Sequence, residues 1–379
     1  MLHCQRHLFD IPEDVAYLNC AYMSPLMRPV IEAGNVALAR KAHPWELTPD
    51  QFFTGSEEFR VTSARLLDAP ADCVAIVSSA SYGIATAAHN LPVSKGQSIL
   101  VLEEQFPSNY YAWQRLTDEH GAALRIVAWP DDGDWTAAVL NSLTADVAIA
   151  ALPHVQWTSG GTLDLVRIGD ACRKIGAALV LDLTQSLGAL PFSVREVQPD
   201  FAVAANYKWL MGPYTTGLLY VAPKWHGGRP LEENWIQRAN ARDFASLILY
   251  TEKYDEGARR FDMGERSNFA LLPAATRAIK QLLEWGVAQI SETAGALNRQ
   301  LAAAAAEVGF SSPPEDLRAP HYLCLRRKAG IPAELPDILA RQKVFVSVRG
   351  SSVRVTPHVY NSATDDDRLI ACLRQIAGG

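Results

Sequence analysis

Short apolar runs alternate with longer segments of helical spacing between about residue 70 and residue 225. The runs are rich in Val, Ile, Leu and Ala, and the segments between them repeat apolar residues every three or four positions. Near-continuous apolar runs are typical of strands buried on both faces, so the pattern predicts an α/β fold with a mainly parallel seven-stranded sheet covered by helices. The predicted strands are 73–79, 98–104, 123–129, 147–153, 177–183, 200–206 and 217–223.

A second, smaller α/β unit follows after residue 270. We therefore expect a large domain at 15–265 and a small domain formed by 1–14 together with 266–379. The elements predicted for this unit are helices at 271–286 and 287–309, short strands at about 321–326, 343–348 and 352–356, and a last helix from about 363.

Composition and charge limit the possible partners. The chain has 379 residues, of which 49% are hydrophobic and 20% charged, as is usual for a globular protein with a large core. The net charge of -6 is modest and Lys and Arg are spread along the chain, so we expect neither a nucleic-acid nor an anionic-membrane surface.

The spacing of the cysteines and the sequence of the amino terminus indicate a cellular compartment. The six cysteines lie far apart without a C-x-x-C pair, which fits neither a zinc site nor a disulfide framework. Residues 1–19 have no apolar run of signal-peptide length, and no segment reaches the roughly 20 apolar residues of a membrane span. We expect a cytoplasmic protein with reduced thiols and no metal site.

Polar residues at two strand ends are candidates for chemistry, because ligands of a doubly wound sheet bind at the carboxyl ends of its strands. Lys208 follows the strand at 200–206 in "NYKWLMGP". A buried ammonium is costly unless it is paired or neutralised, so Lys208 either reaches the surface or reacts with a ligand. Asp182 ends an otherwise apolar strand, with Gln185 three residues later. Such an acid caps the next helix or pairs with a cation.

Three other strand ends add weaker candidates. The small residues of "SSASYG", which include Ala80 and Ser81, suit a phosphate at a helix start, although such residues also simply cap helices. Phe106 follows the second strand and is either a core residue or an aromatic platform. His154 follows the fourth strand, where a lone histidine is more often structural than chemical.

Together these residues match what pyridoxal 5'-phosphate requires. A lysine amine forms a Schiff base with the aldehyde of this cofactor. A carboxylate such as Asp182 keeps the pyridine nitrogen protonated, so that the ring acts as an electron sink. A charge-assisted hydrogen bond contributes roughly 1.5–3 kcal/mol and ring stacking about 0.5–1.5 kcal/mol, so Asp182 should matter more than Phe106.

The Asp182-x-x-Gln185 pair, the "NYKWLMGP" motif and the order of the strand-end loops resemble the class V aminotransferases. These belong to the fold type I pyridoxal-phosphate superfamily, which also includes cysteine desulfurases, kynureninases and isopenicillin epimerase-like enzymes. The resemblance extends from about residue 15 to residue 376. It implies that Lys208 is the Schiff-base lysine, Asp182 the partner of the pyridine nitrogen and Gln185 a donor to the ring hydroxyl.

The same resemblance assigns the remaining site residues. Phe106 takes the stacking position, Ala80 and Ser81 the phosphate loop, and Tyr207 a second phosphate contact. His154 matches a histidine common in the family and is expected to be catalytic, with a role left open. The resemblance also implies a homodimer with the active site near the interface.

Arg354 is the candidate substrate contact. It lies in "SVRVTPHVYN", which is similar to kynureninases and other class V enzymes whose matching arginine binds the substrate α-carboxylate. A planar guanidinium binds a carboxylate through two parallel hydrogen bonds. The alternative is an exposed arginine on a strand.

At three places the sequence departs from the family pattern, and these departures limit which of the family's reactions we expect. Cysteine desulfurases need a nucleophilic cysteine in the loop before this arginine, where the present chain has Ser351 and Ser352, so persulfide chemistry there is not expected. Kynureninases carry an aspartate at the position of Asn109 and a histidine at that of Gln185.

The third departure concerns the stretch "RRFDMGERSNF". Many members have a Gly-Thr pair that reaches the partner's phosphate, where this chain has Gly264 followed by Glu265. Either Glu265 turns away, or Arg266 and Ser267 take over the contact with the phosphate, or Glu265 and Arg266 simply form a surface pair. Arg259 and Arg260 bind a distal substrate carboxylate or are merely solvated.

The leading hypothesis is an aminotransferase that acts on an α-amino acid. The alternatives are a hydrolase or lyase of the kynureninase or C–S lyase type, an epimerase, and a catalytically silent pyridoxal-phosphate binding protein. The substrate itself is left open.

Overall fold

The computed structural model describes residues 1–349 and 351–377. Its strands are β1 (Ala16–Tyr17), β2 (Val74–Val77), β3 (Ser98–Leu102), β4 (Ala123–Val127), β5 (Val147–Pro153), β6 (Ala178–Asp182), β7 (Phe201–Ala205), β8 (Gly217–Val221), β9 (Phe310–Ser311), β10 (Leu323–Arg327), β11 (Val344–Phe345), β12 (Ser347–Arg349) and β13 (Ser352–Val355). Its α-helices are α1 (Arg28–Ala39), α2 (Gln51–Leu67), α3 (Ala80–Asn90), α4 (Tyr111–His120), α5 (Trp135–Ser142), α6 (Leu165–Ile175), α7 (Val194–Val197), α8 (Leu271–Trp285), α9 (Val287–Ala306), α10 (Leu335–Arg341) and α11 (Ala363–Ala377).

The large sheet has seven strands in the order β2-β8-β7-β6-β5-β3-β4. Strands β4, β3, β5, β6 and β7 run parallel, while β8 is antiparallel to both of its neighbours, β2 and β7. The predicted mainly parallel seven-stranded sheet is thereby confirmed, and the predicted strands agree with the observed ones to within a few residues.

The burial of these strands explains why they could be predicted from apolar runs in the sequence. Every residue of β2, β3, β7 and β8 is buried, because helices cover both faces of the sheet. Strand β4 lies at the edge, and only Val127 of it is fully buried. The helices end where the sequence indicates, for example at Gly121 after α4, whose φ of +65° favours glycine.

The carboxy-terminal part forms a four-stranded antiparallel sheet in the order β12-β13-β10-β9. The short strand β9 was not predicted, and the predicted strand at 343–348 is divided into β11 and β12. Residues of β1 pair in parallel with β11, so the amino-terminal segment joins this part of the molecule. The division into domains at 14/15 and 265/266 stays a prediction.

The described residues meet the requirements neither of a membrane-spanning helix nor of a metal site. None of the helices in residues 1–349 and 351–377 is long and apolar enough to cross a membrane. In the same ranges no group of three or more His, Cys, Asp or Glu side chains is arranged to hold a metal ion.

Candidate active site

A cavity of about 410 Å³ lies at the carboxyl ends of the large sheet's parallel strands. It is lined by residues from β5, β6 and β7 and from the loops that follow them, by the loop after β3, and by the start of α3 with the residues just before it. The lining residues are Ser78, Ser79, Ala80, Ser81, Gln105, Phe106, Ser108, Asn109, Pro153, Val155, Gln156, Trp157, Asp182, Thr184, Gln185, Ala205, Tyr207, Lys208, Tyr214 and Thr215.

The structure thus brings most of the predicted site residues into one cavity. Those that line it are Ala80, Ser81, Phe106, Asp182, Gln185, Tyr207 and Lys208, whereas His154 and Arg354 are not in its lining. Parallel strands end at the same edge of a sheet, which is why residues up to 128 positions apart in sequence meet here.

Lys208 follows β7 and is only 6% exposed. Its Nζ lies 5.3 Å from the centroid of the Phe106 ring and 5.4 Å from that of Tyr207. Burial lowers the pKa of Lys208 to about 8; Asp182 opposes this shift and Arg354 adds to it. In the described part of the chain no carboxylate forms an ion pair with this ammonium. Because its pKa is only about 8, a fraction of the Lys208 side chains carries a neutral amine near neutral pH.

Asp182 ends β6 and is 7% exposed. Its Oδ1 accepts a hydrogen bond of 2.9 Å from the backbone N–H of Thr184. Burial raises the pKa of Asp182, while the hydrogen bonds from Thr184 and the charge of Lys208 work in the opposite direction. A buried carboxylate in this position is stabilised by any cation that enters the cavity.

Gln185 is held by three contacts behind the cavity. Its Oε1 accepts from the indole N–H of Trp209 at 3.0 Å, and its Nε2 donates to the carbonyl oxygen of Ala21 at 3.2 Å. The backbone oxygen of Gln185 lies 2.8 Å from Nε2 of His321. Residues from three separate segments of the chain therefore hold this one glutamine.

The start of α3 forms the polar end of the cavity. Ser79 caps the helix by accepting the N–H of Tyr82 at 3.1 Å, and its hydroxyl lies 2.9 Å from that of Ser81. The first-turn N–H groups of a helix have no partner within it, so this end of the cavity favours an anion. The rings of Tyr207 and Tyr214, which also line the cavity, have their centroids 4.6 Å apart.

Sequence reasoning named Ala80 and Ser81 but overlooked Ser79, Tyr214 and Thr215 as lining residues. For Ser79 a signal existed, since serine is a preferred residue at the position before a helix. For Tyr214 and Thr215 the sequence contains no such signal, because they reach the cavity only through the turn that the chain makes after Lys208.

His154 does not lie at the cavity, contrary to the expected catalytic position. Its neighbours Pro153 and Val155 line the cavity, and alternate residues of extended chain point to opposite faces, which directs His154 the other way. Its ring lies 6.2 Å from that of Phe192. Burial lowers the pKa of His154 to about 3, with a further contribution from His321, so the ring is neutral.

Arg354 lies on β13 and is 2% exposed, which excludes the alternative of an exposed strand arginine. Its Nη1 donates to the backbone oxygen of Trp157 and its Nη2 to Oγ of Ser347, each at 3.2 Å. Ser347 in turn donates to Oδ1 of Asn19 at 2.8 Å. These partners are neutral, and no carboxylate pairs with Arg354 within residues 1–349 and 351–377.

The alternatives for Glu265 and Arg266 are resolved by burial. Glu265 is exposed, with a φ of +57°, whereas Arg266 is fully buried and pairs with Asp262. Asp262 also forms an ion pair of 2.8 Å with the buried Arg60. The hydroxyl of Ser267 donates to the backbone oxygen of Phe52. A surface Glu265–Arg266 pair is therefore wrong, and within this chain both Arg266 and Ser267 are engaged away from the cavity.

Arg259 and Arg260 are likewise occupied elsewhere. Arg259 forms ion pairs with Glu57 and Asp72 at 2.6 and 2.7 Å. The guanidinium of Arg260 lies 4.7 Å from the Tyr254 ring. Neither arginine lines the cavity, so neither alternative given for them from the sequence, a substrate carboxylate or plain solvation, describes their contacts.

Known proteins resemble this chain, some along nearly its whole length and others over about half of it. The family model "Aminotransferase class-V" matches residues 31–367. An uncharacterised aminotransferase, YcbU, from Bacillus subtilis is 25% identical over 363 residues, covering 94% of this chain and 93% of that protein. A kynureninase from Geobacillus thermodenitrificans is 31% identical over 188 residues, covering 48% and 44%. The apo structure of a cysteine desulfurase from Thermococcus onnurineus superposes with a TM-score of 0.84 at 18% identity, covering 100% of this chain and 99% of that one.

Proposed function

The chain belongs to the class V aminotransferase family, and from this premise we propose that it transfers the amino group of an α-amino acid, with Lys208 as the cofactor-binding and catalytic lysine. It is a pyridoxal-phosphate-dependent enzyme that acts on an amino acid. The observation that carries the proposal is a buried lysine of lowered pKa that lines the cavity and has Asp182 and an unpaired Arg354 nearby.

The residues of the cavity fit this cofactor. A volume of about 410 Å³ lies within the usual range for small-molecule sites. The donors at the start of α3 suit the phosphate, Phe106 offers a ring to stack on, and Asp182 is a buried carboxylate whose raised pKa a cationic ring nitrogen would lower. When bound, pyridoxal phosphate withdraws electrons from the substrate Cα and so acidifies its proton.

We assign roles to the residues on this basis. Lys208 binds the cofactor and then takes up and returns the proton of the substrate Cα at Nζ. Asp182 holds the ring nitrogen protonated, and Gln185 donates to the ring oxygen. The phosphate is assigned to Ser79, Ala80 and Ser81, which lie at the start of α3, and to Tyr207, which lines the same cavity.

Arg354 is assigned to the substrate α-carboxylate. Its present acceptors are an amide oxygen and a hydroxyl, neither of which neutralises the guanidinium charge. A buried and uncompensated charge is costly, so a carboxylate that approaches it is bound strongly. Its effect on the pKa of Lys208 shows that the two cations are within electrostatic reach of each other.

Transamination is favoured by the small number of Lys, His, Arg, Asp and Glu side chains in the cavity lining. Among the described residues that line the cavity, Lys208 is the only Lys, His or Arg, and Asp182 the only Asp or Glu. Transamination needs one base that moves one proton, whereas hydrolytic cleavage of a carbon–carbon bond also needs a group that activates water. No cysteine lies in the described lining, which argues against persulfide formation on an enzyme thiol.

We also propose that the enzyme is a cytoplasmic homodimer. Large apolar side chains are unusually exposed in a single chain, notably Trp45 (76%), Ile248 (80%) and Tyr250 (97%). Ile248, Leu249 and Tyr250 are consecutive and all exposed, and adjoining exposed apolar side chains are typical of interfaces between subunits. All six cysteines are free thiols, as is usual in a reducing compartment. Light scattering of the purified holoenzyme tests the dimer, and a monomer at micromolar concentration would refute it.

Two experiments test the proposed function. Purified protein supplied with pyridoxal phosphate should develop the visible absorption band of a lysine-bound cofactor, and Lys208→Ala should lack it, while Lys224→Ala, at an exposed surface position, should keep it. A protein that stays colourless after addition of the cofactor would overturn the central claim.

The second experiment offers the holoenzyme a panel of amino acids. A transaminase releases one equivalent of the corresponding 2-oxo acid per active site and continues only when an acceptor 2-oxo acid is added. Release of pyruvate or anthranilate without an acceptor would instead identify a lyase or a hydrolase. Inversion at Cα would identify an epimerase, and no change with any amino acid would favour the silent binding protein.

A further inference from the structure

We infer that Trp209 is a positioning residue that fixes the amide of Gln185 with its N–H groups, and not its oxygen, available to the cavity. The indole N–H of Trp209 is a donor only. The atom of Gln185 that lies 3.0 Å from it must therefore be the acceptor Oε1. Glutamine oxygen and nitrogen are otherwise easily interchanged, and this contact removes the ambiguity.

The remaining hydrogen-bonding capacity of Gln185 follows directly. With Oε1 directed to Trp209, the Nε2 atom carries two N–H groups, of which one donates to the carbonyl oxygen of Ala21 at 3.2 Å. Gln185 lines the cavity and is 7% exposed. The second N–H is therefore the group available to a ligand, and it recognises an acceptor such as a ring oxygen.

Trp209 is itself held rigidly in this position. It is 1% exposed, with the His321 ring in edge contact at 4.3 Å and the His358 ring at 5.9 Å. His321 also lies 2.8 Å from the backbone oxygen of Gln185, which can only accept, so its Nε2 carries the proton. Burial lowers the pKa of His321 to about 4, and the neutral ring therefore makes this contact at physiological pH.

The consequence for cofactor binding rests on the proposed function. If the amide of Gln185 were free to rotate, half of its orientations would direct an oxygen at the oxygen of the cofactor ring, and two acceptors repel. The indole N–H of Trp209, together with the carbonyl oxygen of Ala21, disfavours that orientation before the ligand arrives, and such preorganisation increases affinity without any contact between Trp209 and the ligand. Trp209, which is next to Lys208 in the sequence, thus affects cofactor binding only through Gln185.

The test compares holoenzyme variants by cofactor affinity and by the position of the visible band. Trp209→Phe keeps an aromatic ring between the histidines but loses the N–H. We expect about tenfold weaker cofactor binding and a shifted band, because an ordered hydrogen bond is lost. Trp285→Phe is the matched control: Trp285 lies 6.4 Å from the same His358 but outside the cavity lining, and its replacement should leave both readouts unchanged.

A double variant separates positioning from simple packing. If Trp209 acts through Gln185, Trp209→Phe combined with Gln185→Leu should match Gln185→Leu alone in band position and affinity. Effects that add in full would overturn the inference. So would an unchanged band in Trp209→Phe while Lys208→Ala still abolishes it, an outcome that leaves the proposed function intact.

Gln185→Glu provides an independent test should Trp209→Phe not fold. Glutamate still accepts from Trp209 but presents an acceptor where the amide presents a donor. We expect this variant to bind the cofactor at least about tenfold more weakly than wild type. Wild-type affinity would show that the amide's orientation is immaterial and would overturn the inference.

Discussion

The amine nitrogen Nζ of Lys208, which follows β7, lies 5.3 Å from the centre of the Phe106 ring, which belongs to the loop after β3. The two residues are 102 positions apart in the sequence. Their contact places an aromatic face beside the group that binds the cofactor, and so the ring is available both to the free ammonium and to a planar ligand.

Replacing Phe106 with leucine should weaken cofactor binding moderately. Stacking contributes about 0.5–1.5 kcal/mol, which corresponds to roughly two- to tenfold in affinity. Phe106→Tyr keeps the ring and should retain near wild-type affinity. Equilibrium dialysis of each variant against pyridoxal phosphate measures the difference, and equal affinities for Leu and Phe would exclude the stacking role.

The rate at which apoenzyme captures the cofactor should depend on pH. The pKa of Lys208 is lowered to about 8, and only the neutral amine attacks an aldehyde. The neutral fraction rises with pH below that value and levels off above it. We expect capture to be about fivefold faster at pH 8 than at pH 7 and to gain little above pH 9. A rate that keeps rising tenfold per unit to pH 10 would indicate an ordinary lysine pKa.

Asp182→Asn should reduce activity severely and leave the fold intact. The amide keeps the acceptor for the N–H of Thr184 but loses the charge that stabilises a protonated ring nitrogen. A charge-assisted hydrogen bond contributes about 1.5–3 kcal/mol, so cofactor affinity should fall by roughly 10- to 150-fold. Thermal denaturation of the apoenzyme is the control, because removal of a buried carboxylate should not lower its stability. Normal affinity would disprove the assigned pairing.

Arg354→Lys should raise KM by about 10- to 100-fold with little effect on kcat. Lysine keeps the charge but cannot form two parallel hydrogen bonds to a carboxylate. The matched control is Arg326→Lys, at an exposed position of β10 in the same small sheet. Kinetics with the best substrate of the amino-acid panel give the comparison. A fall in kcat at constant KM would argue against a carboxylate-binding role.

Asp262→Asn should destabilise the protein by about 3–5 kcal/mol, because it removes the carboxylate that pairs with the buried Arg266 and leaves the buried Arg60 with only the partly exposed Glu57 as counter-charge. Asp262 also accepts the N–H of Ile76 at 2.7 Å, so β2 should loosen next to the phosphate end of the cavity. Urea denaturation measures the effect. Asp14→Asn, which removes a solvent-exposed pair with Lys343, should not change stability measurably.

The sequence by itself determined the large sheet and the central pair of the site. Strands such as β2 and β7 are buried on both faces, so their apolar runs are unbroken and visible in one dimension. Asp182 and Lys208 were recognisable because each follows such a run directly, and the carboxyl ends of parallel strands converge. Those features depend on residues that are neighbours along the chain.

Only the tertiary structure decided the surroundings of that pair. It turned His154 away from the cavity, enclosed Arg266 with Asp262, gave Arg354 neutral partners, and set the indole of Trp209 against Gln185. Each outcome depends on which side chain arrives from a distant segment and on what is left unpaired when water is excluded. These contacts between distant segments cannot be predicted from the local sequence, because they form only when the segments pack together.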